Sequence, residues 1–98
     1  MFCPLLNDIV YFTEKGFNHL IRKGRKPRTE SEQMKRFGLV PHIKEIVESP
    51  KAEMHMKEES GLTFWNIVKD IKGQKVRVII LKSGNRKVFL SVYPPPTE

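Results

Sequence analysis

This sequence has almost no cysteine and no long apolar run. Its single cysteine, Cys3, cannot form an internal disulfide, so the chain suits a reducing compartment or is indifferent to redox state. No apolar stretch approaches the ~20 residues that a membrane-crossing helix needs. The apolar start, residues 1–12, has no basic region before it and is interrupted by Asp8, which favours a first strand over a signal peptide. We therefore predict a cytoplasmic protein without membrane contact.

Residue patterns that hold metals are also missing. There is no CxxC, no pair of histidines at HxxxH spacing, and no Asp/Glu cluster of the kind that binds Mg²⁺. Of the three histidines, His42 follows a proline at a predicted helix start and is interpreted as structural. His55 alternates with Glu53 and Lys57 along a predicted edge strand and is expected to face solvent. We predict no metal and no cofactor.

Length and composition indicate one domain. The chain has 98 residues, of which 39% are hydrophobic and 30% charged, as in a globular protein with a single modest core. The domain is predicted to span residues 1–98, with loose ends at residues 1–7 and 94–98.

The first half of the chain predicts a strand and then helices. The β-branched and aromatic residues of 8–13 indicate a short strand. Apolar residues at i, i+3 and i+4 within residues 17–23 indicate a short helix. A second helix is predicted from about residue 30, and Pro41 is expected to break it and to open a third, because proline has no N–H for the helical ladder.

After residue 50 the apolar period changes from 3.6 to 2. Four strands are predicted, separated by tight turns at residues 60–61, 72–73 and 83–85. Strands joined by such short turns form an antiparallel meander. The predicted fold class is therefore α+β, with an N-terminal strand and two to three helices packed on a four-stranded antiparallel sheet.

Most of the net charge lies in residues 15–36. This segment contains six of the seven net positive charges of the chain. Crowded like charges are unfavourable in a folded domain unless a polyanion lies opposite them. We therefore predict that RNA contacts this basic segment, with Lys87 of the last strand as a further contact. The RNA-binding residues expected are Lys15, Arg25, Lys26, Arg28, Lys35, Arg36 and Lys87.

One histidine lies within the basic segment. RNA cleavage without a metal needs a group that moves protons and cations that stabilise the phosphorane. His19 can move protons near neutral pH, and Arg22 and Lys23 follow it at i+3 and i+4, on one side of the predicted helix. This arrangement predicts a catalytic role for all three residues.

The last strand predicts the floor of the same site. By alternation, Lys87, Phe89, Ser91 and Tyr93 share one face, and the intervening Val/Leu/Val residues share the core face. Ser91 and Tyr93 are therefore added to the candidate catalytic residues, as groups that position a nucleotide.

The order of elements and two segments, PHIKEIVESP and FWNIVKDIKGQKVRVIILKSGNRKVFLSVYP, resemble the BECR nucleases, which are the barnase, EndoU, colicin and RelE-like small ribonucleases. The resemblance covers residues 12–94. It implies an α+β ribonuclease that uses no metal, leaves a 2′,3′-cyclic phosphate and often acts as a toxin silenced by an antitoxin or immunity protein.

Carried over by position, His19 matches the proton-transfer histidine of that family, and Arg22 and Lys23 match its basic companions. Ser91 and Tyr93 match the polar residues of its last strand. The sequence departs from the family in two respects: it reads NHLIRK where many relatives have an Arg-His pair, and it offers no glutamate of the barnase kind.

Three functions remain open from the sequence. The first is a small metal-independent endoribonuclease, the toxin of a toxin–antitoxin, phage or mobile-element system, acting on tRNA or ribosome-bound mRNA and partnered by an acidic antitoxin. The second is a non-catalytic RNA- or ribosome-binding module on the same fold. The third is a protein-interaction domain of a mobile element whose basic face meets an acidic partner.

Overall fold

The computed structural model describes residues 1–14, 16, 22–23, 26–27 and 29–93, and for residues 22–23, 26–27 and 30–37 it describes the backbone alone. Eight strands and one helix have described bounds. In chain order they are β1 (Phe2–Cys3), β2 (Asp8–Tyr11), β3 (Arg22–Lys23), β4 (Lys26–Pro27), α1 (Glu30–Val47), β5 (Glu53–Glu59), β6 (Leu62–Ile71), β7 (Gln74–Ser83) and β8 (Arg86–Tyr93).

Six of the strands form one mixed sheet in the order β1-β2-β8-β7-β6-β5. Strands β5 to β8 are an antiparallel meander, and each connection between them is a two-residue turn. In the first two turns both residues have positive φ: Ser60 and Gly61, then Lys72 and Gly73. This conformation matches the right-handed twist of the flanking strands, so these short loops fix the register of the meander.

The N-terminal segment completes the sheet on its other side. β1 pairs with β2 antiparallel, and β2 pairs with β8 in the parallel direction. The Met1 ammonium donates to the Val10 carbonyl at 2.9 Å, and Cys3 and Val10 are fully buried. Residues 1–7, predicted to be loose, thus carry a strand and a core residue; residues 94–98 lie outside the described part of the chain.

The core lies between the sheet and the C-terminal half of α1. Ile43, Ile46 and Val47 of the helix pack on one face of β6, β7 and β8, which is the spacing expected for one side of a helix. Among the described residues, the buried core cluster contains Cys3, Val10, Ile43, Ile46, Val47, Trp65, Ile67, Ile71, Val76, Val78, Ile80, Phe89 and Val92.

The predicted fold class is wrong in its sheet and in its helices. The sheet has six strands and is mixed, because β1 and β2 join the meander beside β8. α1 is a single helix that runs through Pro41, where two helices were predicted. An interior proline costs about 3 kcal/mol, and burial of three aliphatic side chains beyond it contributes about 1.5–3 kcal/mol each. Packing on the sheet therefore outweighs the proline.

The predicted helix over residues 17–23 is also wrong at its end. Arg22 and Lys23 form β3, which pairs with β4 in a separate two-stranded sheet, with Lys23 opposite Lys26. A helix of seven residues is too short to be stable by itself, whereas a hairpin satisfies the backbone through its partner strand. Arg22 and Lys23 are neighbours on an extended strand and do not share one helical face with His19, which lies outside the described residues.

Within the residues described, no helix combines the length and the apolar character that a membrane span requires.

Candidate functional site

The face of the sheet opposite α1 is open and is lined by alternate residues of the meander. β6 sends Trp65, Ile67 and Ile71 into the core, so Phe64, Asn66 and Val68 point to the other side. The same alternation exposes Lys75 and Arg77 on β7, and Glu53, His55, Lys57 and Glu59 on β5. A face with both apolar and charged side chains, covered by no described element, is a candidate binding surface.

These residues form a groove of about 720 Å³, a volume that can hold a nucleotide. Its floor is half-buried and largely apolar or aromatic, and its rim is charged. The groove is lined by Glu53, His55, Lys57, Glu59, Phe64, Asn66, Val68, Lys75, Arg77, Ile79, Leu90 and Tyr93. We refer to this surface as the sheet groove.

The charges of the groove are unevenly paired. On β5, Glu59 Oε2 lies 3.3 Å from Lys57 Nζ, and Glu53 Oε2 lies 3.9 Å from His55 Nε2, a contact that is an ion pair when His55 is protonated. Among the described residues, Lys75 and Arg77 have no carboxylate within 4.0 Å. Arg77 is thus open to an anionic ligand, and Lys75 is a second cation on the same strand, with Asp70 as its cross-strand neighbour.

Arg77 and Tyr93 are direct neighbours in the groove. They pair across β7 and β8, and both line its wall. His55 lies on β5, two strands from Arg77 and two residues away along the strand direction, which corresponds to roughly 12 Å at the normal strand spacing and rise. A phosphate above the intervening strand would be within reach of a long arginine side chain on one side and an imidazole on the other.

A β-bulge in β8 changes the face that the last strand presents. Ile79 pairs with Ser91 and Ile80 with Phe89, so Leu90 is an extra residue without a partner in the register. Phe89 and Val92 are fully buried in the core, and Leu90 lines the groove. The predicted alternation of the last strand is therefore wrong, because the extra residue shifts the faces of the residues on its two sides.

The bulge also divides the four residues that were predicted to share a face, because Ser91 and Tyr93 pair with Ile79 and Arg77 on the groove side whereas Phe89 pairs with Ile80 on the core side. Tyr93 is half-buried in the groove, and Ser91 is fully buried. Lys87 lies outside the groove: its Nζ is 2.7 Å from Asp8 Oδ2 and 5.4 Å from the centre of the Trp65 ring. Of the last-strand candidates, the structure brings Tyr93 alone to the sheet groove.

The Lys87–Asp8 contact is an ion pair that joins β8 to β2. The hydrogen bond from Lys87 lowers the pKa of Asp8 below its ordinary value of 3.8, and the Ile9 N–H, 2.7 Å from Asp8 Oδ1, adds to the effect. Because the charge of Lys87 is already matched, this residue is a weaker candidate for RNA contact than Lys75 or Arg77.

Gly16 brings the start of the basic segment against β8. It is buried, and a Cβ placed on it would lie 2.5 Å from the Phe89 carbonyl oxygen and 2.6 Å from Phe89 Cδ1. The Phe12 ring stacks on the Phe89 ring with centroids 4.9 Å apart. The chain therefore passes closely over Phe89 just before the predicted catalytic histidine.

The remaining predicted residues either are described by their backbone alone or lie outside the described part of the chain. Arg22, Lys23 and Lys26 are placed by their backbone in the β3–β4 hairpin, and Lys35 and Arg36 by their backbone in α1. Four predicted residues lie outside the described part of the chain, namely Lys15, His19, Arg25 and Arg28.

Sequence reasoning missed most of the sheet groove. Asn66, Lys75 and Arg77 were not considered as site residues, and His55 was interpreted as merely solvent-facing. Its exposure is confirmed, since the side chain is 70% exposed on the edge strand. The signal was present in the period of 2 along β5, β6 and β7, which places these residues on the face opposite the core.

Over the described ranges, no three His, Cys, Asp or Glu side chains are grouped in a way that could hold a metal ion. No protein-family model, curated protein or solved structure matches the chain.

Proposed function

We propose that the protein is a metal-independent endoribonuclease of the cytoplasm that binds RNA in the sheet groove. The observation that supports this most strongly is Arg77 of β7, which has no described carboxylate within 4.0 Å and pairs with Tyr93 beside the apolar floor, with Lys75 of the same strand as a further cation. Cations hold phosphates, and aromatic side chains stack on bases, so the groove offers both kinds of contact that single-stranded RNA needs.

The reaction proposed is transesterification by the ribose 2′-hydroxyl. A base removes the 2′-hydroxyl proton, the 2′-oxygen bonds to phosphorus, and the bond from phosphorus to the 5′-oxygen breaks. An acid protonates the 5′-oxygen as it leaves, which gives a 2′,3′-cyclic phosphate and a 5′-hydroxyl end. Arg77 would stabilise the charge on the phosphorane, because guanidinium donates paired hydrogen bonds to phosphate oxygens.

We assign proton transfer to His19. Its support is the family resemblance and the basic residues around it in the sequence. Arg22, Lys23 and Lys26 of the β3–β4 hairpin would add phosphate contacts outside the groove.

The test is cleavage of tRNA and of a ribosome–mRNA complex in excess EDTA, with the product ends mapped. We expect discrete fragments with cyclic phosphate ends. His19→Ala should reduce the rate by about 10²–10⁴-fold, the usual contribution of a general acid or base. Lys82→Ala, an exposed lysine of β7 outside the groove, should leave the rate unchanged.

His55→Ala is the matched control for the assignment of His19. If His55→Ala abolishes cleavage and His19→Ala does not, the proton carrier is the histidine of the groove. If both variants cut at the parent rate, neither His19 nor His55 is the proton carrier.

A second candidate function, RNA binding without cleavage, is favoured by the same two cations, which need no proton carrier to hold RNA. Intact RNA that stays bound in EDTA would support it. In either case Arg77→Ala should weaken binding and reduce the slope of log K against log salt by about 0.7, the value for one phosphate contact on a single strand. An unchanged slope would exclude the groove as the RNA site.

The toxin hypothesis adds a protein partner. An acidic antitoxin or immunity protein would bind the same cations and would therefore compete with RNA. Expression of the parent chain should arrest growth, whereas His19→Ala should not. If the parent chain and His19→Ala both arrest growth, the toxicity does not depend on RNA cleavage by His19.

A further inference from the structure

Strand β5 is an edge of the sheet that is long, exposed and open. In the sheet order it is the terminal strand, and within the described residues only β6 pairs with it. Six of its seven residues are exposed, among them Met56 at 62%, and Met54 is partly buried. The outer N–H and C=O groups of such a strand can pair with another strand, and proteins normally protect them.

We propose that β5 pairs with β5 of a second copy of this chain, antiparallel, about a two-fold axis at His55. This inference rests on the strand alone and does not depend on the proposed function. An antiparallel pair of identical strands is self-complementary, which is the form of most protein dimers.

The charges of β5 select this register. With the axis at His55, Glu53 lies opposite Lys57 of the second copy, twice, and Met54 lies opposite Met56 of the second copy, twice. Opposite charges and apolar side chains facing each other across strands are stabilising.

The neighbouring registers are worse. An axis at Met56 places Glu53 opposite Glu59 of the second copy, twice, whereas the axis at His55 places the two His55 side chains opposite each other. An axis at Lys57 places the two Lys57 side chains opposite each other. Like charges directly opposite are destabilising, so the axis at His55 is favoured over both.

The dimer has a geometric consequence for the sheet groove. The axis is perpendicular to the sheet, so both copies of α1 lie on one side and both grooves on the other. Glu53, His55, Lys57 and Glu59, which form the rim of each groove, would then meet at the centre of one continuous surface. Met54 and Met56 meet on the helix side, where the exposed Met56 becomes covered.

Charge reversal tests the register. By sedimentation equilibrium over a wide range of protein concentrations, the full chain should be a dimer. Lys57→Glu and Glu53→Lys should each weaken the dimer by about tenfold or more, because each replaces two attractive pairs by two repulsive ones. The double variant Glu53→Lys/Lys57→Glu should restore the parent dimer, and Lys82→Glu should leave it intact.

Three outcomes would overturn the proposal. They are a parent chain that is monomeric at every concentration, a dimer that neither single reversal weakens, and single reversals whose effects add in the double variant. Circular dichroism of each variant confirms that the fold is retained, so that a loss of dimer reports on the interface.

Discussion

Gly16 is the residue at which a single methyl group should matter most. A Cβ there would lie 2.5 Å from the Phe89 carbonyl oxygen, and the backbone of β8 is held on both sides by β2 and β7. We expect Gly16→Ala to lower the free energy of unfolding by about 1–3 kcal/mol, the usual cost of overpacking. Urea denaturation measures this change.

Gly38 provides the matched control. It lies inside α1, and a Cβ there would meet nothing within 4 Å. Gly38→Ala should therefore raise the free energy of unfolding by about 0.5–1 kcal/mol, because alanine is the better helix former. A Gly16→Ala protein as stable as the parent would contradict the close packing over Phe89.

The Asp8–Lys87 ion pair should make stability depend on acid pH. The pKa of Asp8 is lower in the folded chain than its ordinary value of 3.8. Its stabilising contribution is therefore complete above that value and is lost as the pH falls through the folded-state pKa. Denaturation of the parent, Asp8→Asn, Lys87→Met and the double variant should show coupling at pH 7 that disappears in strong acid. Coupling that persists there would mean that charge is not its source.

At the scale of elements, the turn between β6 and β7 can be improved. Lys72 has φ of 53°, a conformation that asparagine tolerates better than lysine, and Gly73 follows with φ of 82°. We expect Lys72→Asn to raise the free energy of unfolding by about 0.4–1 kcal/mol, and Gly73→Ala to lower it by at least as much. Thermal denaturation of the two variants measures both signs, and a destabilised Lys72→Asn would contradict the assigned turn.

The turns were also the elements that could be predicted best. Ser60-Gly61 and Lys72-Gly73 lie between alternating apolar residues, and the structure has a two-residue turn at each. These signals are local, since the turn residues set the backbone and the alternation sets the face. The predicted break at Pro41 was wrong because the signal there is not local. Whether a helix continues past a proline depends on what the residues beyond the proline pack against.

The bulge in β8 could not be predicted from the strand alone. The sequence of residues 88–92 is compatible with a regular strand, and nothing within it shows that Leu90 lacks a partner on β7. The irregularity exists only in relation to β7. Ser91 and Tyr93 pair with Ile79 and Arg77 on the groove side, so the extra residue Leu90 was enough to place Phe89 on the opposite, core side.

At the scale of the whole molecule, the candidate site is assembled from residues that are far apart in the chain. His55, Arg77 and Tyr93 come from three strands, so each was unremarkable in its own sequence context. The basic segment around His19 was conspicuous because its residues are adjacent. Sequence therefore indicated the charged segment, and the pairing of β5 to β8 was needed to find the groove.

The join between β2 and β8 has a consequence for how the chain acquires its structure. Asp8 and Lys87 are separated by 79 positions, and the parallel pair that they flank joins one of the first strands to the last. A ribosome translates at roughly 5–20 residues per second. β2 must therefore wait for several seconds, unpaired on that edge, until β8 has emerged. For a protein proposed to cut RNA, this order of assembly delays completion of the sheet until translation of the domain is nearly over.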